Sequence, residues 1–192
     1  MEKESILEAA YGLFLREGIR DLRMGAIAAK IGMSRHELCS LFSGKWDLVA
    51  QCVEYGLQRL NAGLDAACAP ARTPVEVLLR SAVTAYDAFG AMSWQFVEDI
   101  AYYPAAIDAV NGERRLLRKR QRAVFLQCVE QGYLLGMEYS GLLERFFWPD
   151  FKTGAGERDA SLRVLFTLVR GSATEPGWRE AERVRRAMSL EY

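Results

Sequence analysis

The chain has 192 residues, 51% of them hydrophobic, with 25 basic and 25 acidic side chains and a single histidine. That length and composition suffice for a large buried core, either in one domain or in a small domain joined to a larger one. A formal net charge of zero excludes a global field drawing the protein onto nucleic acid, so any such attraction has to be local.

Ile6, Leu7, Ala10, Leu13 and Phe14 share one helical face and predict a first helix from about Lys3 to Glu17, which Gly18 ends. Ile27, Ala28 and Ile31 mark a second, short helix stopped at Gly32, where a left-handed residue is easily accommodated. Ser34 opens a third. Glu37 stands three residues later, so the serine hydroxyl can accept from the Glu37 amide while the glutamate reaches back, a capping box. Leu38, Leu41 and Phe42 supply the apolar stripe of this helix and leave Arg35, His36, Glu37 and Ser40 free on its first turns. Two short helices joined by a tight turn suit the major groove, which admits one helix while its partner lies across the backbone. A helical hairpin inside a bundle is the alternative reading. Between Arg20 and Lys45 five basic residues stand against two acidic ones, a local excess that favours contact with phosphates.

From Lys45 a fourth helix is expected through Trp46, Leu48, Val49, Val53, Leu57 and Leu60 to about Cys68, with Ser43-Gly44 as break and cap. Its ~24 residues span about 36 Å. Pro70 closes it, and Thr73-Pro74-Val75-Glu76 starts a fifth, with a threonine cap and proline at the first helical position. Ser93 caps a shorter helix that stops before Pro104. A turn from Ala105 to Val110 leads to a break at Asn111-Gly112, and Glu113 to Gln131 forms the next helix. Its row of Arg114, Arg118 and Arg122, with Arg115 and Lys119 beside it, reads as a solvated face. No aromatic residue interleaves there, and Leu116, Leu117 and Val124 are expected to point the other way. Further helices are expected from Ser140 through Phe147, from Asp159 to Arg170, and from Thr174-Glu175-Pro176 to Met188. No alternating strand pattern occurs. The expectation is an all-α chain, with an N-terminal three-helix helix-turn-helix domain over 1–47 and a larger helical domain over 48–192.

Ile6-Leu7, Ala10, Leu13-Phe14, Glu17-Gly18, Ile27-Ala28, Gly32-Met33-Ser34, Leu38, Phe42 and Lys45 keep a fixed spacing. With it, the segment from Ile6 to Leu48 resembles the N-terminal domain of the TetR family of transcriptional regulators. Beyond that segment the resemblance is one of length and helical layout. It implies a homodimeric, ligand-responsive regulator, usually a repressor, that binds a palindromic operator in double-stranded DNA and responds to a small-molecule effector. The expected DNA contacts are Arg23, Met24, Ser34, Arg35, His36, Glu37, Ser40 and Lys45. The chain departs from the family pattern at four places: Arg23 replaces a capping threonine, Cys39 an aromatic phosphate contact, Leu41 a tyrosine or histidine, and His36-Glu37 a small pair. Lost hydroxyls remove phosphate hydrogen bonds that fix register on the duplex. Arg23 offers a phosphate contact in their place and Asp21 offers a cap. The same departures raise the alternative of a ligand-binding or interaction protein whose DNA reading has decayed.

In the second domain Tyr86, Phe89, Trp94, Tyr102, Tyr103, Phe125, Tyr133 and Phe147 exceed what packing alone needs and are the candidate walls of an effector pocket. By the resemblance, two late helices pair with a second copy in a four-helix interface, the candidates being Leu142 to Phe147 and Asp159 to Arg170. An enzyme is not expected, since the one histidine, His36, lies on the reader, and neither a Ser-His-Asp or Cys-His set nor a glycine-rich phosphate loop is present. No catalytic residue or cofactor is expected. Cys39, Cys52, Cys68 and Cys128 are scattered without ligand spacing, which points to reduced thiols rather than disulfides or a metal site. No stretch approaches the ~20 apolar residues of a membrane span, and a soluble cytoplasmic protein is expected.

Overall fold

The computed structural model describes residues 2–136 and 158–188; the helix expected from Ser140 through Phe147 lies outside them. Among the described residues the helices are α1 (Lys3–Glu17), α2 (Met24–Lys30), α3 (Arg35–Leu41), α4 (Lys45–Cys68), α5 (Pro74–Gly90), α6 (Trp94–Ile100), α7 (Pro104–Glu130), α8 (Arg158–Gly171) and α9 (Glu175–Ala187). The only other pairing among them is an isolated antiparallel bridge between Leu134 and Ala173. The fold is all-α, with the helix-turn-helix at α2 and α3.

The break expected at Asn111-Gly112 does not occur, because α7 runs through it. Ala106 is buried, and Ile107 and Val110 pack on a core before the glycine, while Leu117, Phe125 and Cys128 are buried after it. Burial on both sides outweighs the helix penalty of one glycine, about 1 kcal/mol. Two apolar assignments also change. Leu116 is 53% exposed although Leu117 is buried, since neighbouring helical residues lie about 100° apart and cannot both face one core. Leu41 is 42% exposed because α3 ends there and the backbone of Phe42 turns extended, carrying the Phe42 ring into the core in its place.

The chain divides into two compact units, Met1–Asn61 with Ala91–Glu113, and Ala62–Gly90 with Arg114–Tyr192. The unit that holds the helix-turn-helix therefore takes in more than residues 1–47. It recruits α6 and the start of α7, because Phe96, Ile100, Tyr103 and Ala106 share a core with Ile6, Ala10, Leu13 and Phe14 of α1. Ile27, Ala28, Leu38, Phe42 and the first turns of α4 complete that core. Each fully buried side chain of this size stabilises by roughly 1.5–3 kcal/mol.

In the second unit, α5 lays Val75, Leu78, Leu79, Ala82 and Tyr86 against Leu162, Leu165 and Val169 of α8 and Val184 of α9. Thr174 caps α9, accepting from the Gly177 amide at 3.3 Å, and its hydroxyl donates to the Gly132 carbonyl at 2.6 Å. Gly177 is required here. A Cβ at that position would stand 1.8 Å from the Tyr133 carbonyl oxygen. In the first turn of α5, Glu76 is almost wholly buried and binds Arg80 at 2.8 Å and Arg183 of α9 at 2.7 Å. Arg183 also holds Glu180, which accepts from the Thr73 hydroxyl at 2.6 Å. The predicted threonine cap of α5 is thus tied into an ion-pair network.

Candidate functional site

The third helix is held at its start by the capping box the sequence predicts. The Glu37 amide donates to Ser34 Oγ at 3.2 Å, and the Ser34 amide donates to Glu37 Oε2 at 2.7 Å. Hydrogen bonding from the Ser34 hydroxyl and the Ser34 amide favours the charged carboxylate and lowers the pKa of Glu37. Of the predicted contacts on α3, Ser34 and Glu37 are therefore engaged with each other. Ser40 directs its hydroxyl to the Glu37 carbonyl at 2.7 Å. Arg35, His36 and Cys39 are exposed on the same turns, whereas Leu38 is fully buried. The aliphatic stem of Arg35 passes Gly25 of α2, so α2 steadies the base of that side chain.

Arg23 is the N-cap of α2, exposed and extended, and no side chain caps the helix. The cap expected from Asp21 is not formed. Met24 is half-buried and packs on the core. Lys30 pairs with Glu17 at 2.9 Å, so it contributes less to the local positive excess than its charge suggests. Asp47 reaches back to the Ser43 amide at 2.8 Å, which makes Asp47 the side chain that steadies the entry to α4.

Lys45 begins α4 and donates from Nζ to the Arg20 carbonyl at 2.9 Å. Burial lowers its pKa, opposed by Asp99 and Asp21. The loop it grips is pinned a second time. Gly18 turns the chain at a φ of 78°, and Asp99 of α6 then accepts from the Ile19 amide at 2.6 Å and the Arg20 amide at 2.8 Å. Asp99 is only 4% exposed and was not among the residues expected from sequence. The signal was present, because Asp99 interrupts the apolar series Phe96, Ile100 and Tyr103 of α6 and the turn after it, and an acid inside such a series needs a buried partner.

The aromatic set does not gather in one unit. Tyr86, Phe125 and Tyr133 belong to the core of the second unit and Phe89 lies half-buried beside them in α5. Trp94, Tyr102 and Tyr103 belong to the first unit, where Tyr103 is buried and Trp94 and Tyr102 are exposed. They travel with it because α6 packs on α1. Phe147 lies outside the described residues. Burial raises the hydroxyl pKa of Tyr86 to about 12, with Ser161 opposing. Among the described residues no group of His, Cys, Asp and Glu is arranged to hold a metal, and no helix is long and apolar enough to cross a membrane.

Residues 6–52 match the family profile of the bacterial regulatory proteins of the tetR family. No curated protein matches the chain. Among solved structures, the chain is similar to the ketosteroid transcriptional regulator KstR2 of Mycobacterium tuberculosis, with 20% identity, 91% of this chain and 96% of that one covered, and a TM-score of 0.66. It is also similar to a transcriptional regulator from Saccharomonospora viridis in complex with choline, with 17% identity, coverage of 95% and 94%, and a TM-score of 0.66. A gamma-butyrolactone receptor described as ArpA-like matches with 16% identity, coverage of 96% of both chains and a TM-score of 0.66. At these identities the structures establish the shared fold, and the profile match establishes the N-terminal module. The N-terminal module is thus that of the tetR family of bacterial regulatory proteins, and the chain as a whole shares the fold of these solved structures.

Proposed function

We propose that the protein is a homodimeric, ligand-responsive transcriptional regulator, a repressor that leaves a palindromic operator when a small molecule binds. The observation that carries this reading is α3, a short helix locked at its N-terminus by the Ser34–Glu37 box and presenting Arg35, His36 and Ser40 on its outer face. A helix so held loses little freedom on entering a major groove, where its first residues meet base edges. Arg23 and Lys45 supply charge beside it, and Arg35 is the side chain best suited to paired hydrogen bonds with guanine.

A dimer has to place two such helices about 34 Å apart to enter successive grooves. On α8, Ala160, Val164 and Gly171 are exposed and Leu168 is half-buried, a small apolar stripe suited to packing against its copy. An effector acts through its differential affinity for the DNA-competent and incompetent shapes. The effectors of the similar proteins are their own; for this chain the aromatic residues of the second unit favour a partly apolar small molecule.

The test is retention of genomic DNA fragments by the full chain across a salt series. Specific reading leaves particular fragments bound as the rest are released. Arg35→Ala is expected to weaken binding to those fragments by about 1–3 kcal/mol and to relax the preference at one base pair. The exposed Cys39 and Leu41 favour the second reading, a family member without DNA recognition, and uniform release of every fragment would select it.

A further inference from the structure

Arg20 is held more completely than an exposed arginine needs to be for folding. Its amide donates to Asp99, its carbonyl accepts from Lys45, and its guanidinium lies 4.2 Å from the centroid of the Tyr102 ring. Tyr102 is itself 57% exposed. Among the described residues no ion pair includes Arg20. Next to Lys45 in sequence, Trp46 is 64% exposed and tilts over Tyr103 at 5.3 Å. The corner therefore presents two cations and two exposed rings with no carboxylate paired to the guanidinium.

An arginine with both backbone groups anchored and its plane resting on a ring has a placed fork of donors, the geometry that recognises a phosphate. We infer that Arg20, on its Tyr102 shelf, is a binding site for a backbone phosphate of duplex DNA beside the reading helix. This rests on the DNA-binding reading proposed above and assigns a contact which that reading left out. DNA is favoured over an acidic protein because Lys45, itself an expected DNA contact, is bonded to the Arg20 backbone. Lys45, at the start of α4, grips the very carbonyl of Arg20, so a strand that approaches Lys45 is within reach of the guanidinium as well.

The experiment measures binding of the full chain to a random-sequence duplex of about thirty base pairs across a salt series, a probe that reports phosphate contacts without an operator. Arg20→Gln is expected to make the slope of log affinity against log salt shallower by about 0.9 and to weaken binding about fivefold near physiological salt. Its melting temperature should stay that of the parent, because the side chain makes none of the bonds that pin the loop. Tyr102→Phe keeps the shelf and should bind as the parent does. Tyr102→Ala should bind more weakly.

A parent chain that binds with a steep slope, beside an Arg20→Gln variant of identical slope, overturns the phosphate site while leaving the DNA reading intact. Weaker binding by that variant at unchanged slope overturns it too, since the role would then be structural. A parent chain with no salt-dependent duplex binding removes the DNA reading and this site together.

Discussion

Two buried carboxylates carry the residue-scale consequences. Asp99 accepts both of its short bonds from backbone amides of the loop before α2, so Asp99→Ala leaves the buried Ile19 amide without an acceptor. The expected loss is about 1–3 kcal/mol of unfolding free energy, with Asp99→Asn less damaging because an amide oxygen still accepts. Urea titration of the three proteins checks the order. Glu76 answers to pH instead. Burial pushes its pKa up, but bonds from Arg183, the Arg72 amide and Arg80 outweigh that and bring it down to about 2 from an ordinary 4.5. A carboxylate depressed in the folded state stabilises fully above its unfolded pKa and loses that contribution as pH falls through the folded one. The window is therefore from about pH 4.5 down to about 2, and the shift corresponds to roughly 3 kcal/mol. Melting followed across this range should fall steeply for the parent, whereas Glu76→Gln should be less stable at neutral pH and flatter in acid. Glu76 was legible in the sequence as part of a helix start. Its partner Arg183 was not, because no local pattern names a residue more than a hundred positions away.

At the scale of the element, local chemistry decided most boundaries. Lys3–Glu17 and Lys45–Cys68 fall where apolar spacing and the flanking Gly18 and Gly44 put them, and Ser34, Ser93 and Thr174 cap the helices their types announce. Helix α3 is the sharpest case for a test. Seven residues are too few for α3 to be stable on propensity alone, so the box at its start contributes materially. Ser34→Ala removes one of the two reciprocal bonds and should cost about 1 kcal/mol. It should also raise hydrogen exchange at the first amides of α3 above that of α1, which would remain at parental protection if the effect is local. Where the sequence misled, a longer-range effect had prevailed over a local one. Gly112 reads as a stop, yet core contacts on either side keep α7 helical. Leu41 reads as core, yet the extended backbone at Phe42 delivers the next ring there instead.

For the whole molecule, the sequence names surfaces more readily than it names which surfaces meet. The helix-turn-helix was legible because its apolar spacing and capping box are packed into one short stretch. The recruitment of α6 to the same unit was not, since it depends on Phe96 and Ile100 finding α1 some eighty residues earlier. The aromatic set failed as a single group for that reason, with Trp94 and Tyr102 following α6 rather than the later helices. Assembly is the remaining question at this scale, and it turns on α8. Its inner face, Leu162, Leu165 and Val169, is consumed by its own unit, while Val164 stays 41% exposed on the opposite side. In the proposed dimer a charge placed there meets its own copy across a two-fold axis, as the same residue recurs in a self-complementary interface. Val164→Asp should therefore sediment as a monomer where the parent is a dimer, at an unchanged circular-dichroism spectrum. Separating two half-site readers removes the gain from binding as a pair, so affinity for a palindromic fragment should fall by about a hundredfold or more. A dimer that persists in the variant would move the interface off this face of α8.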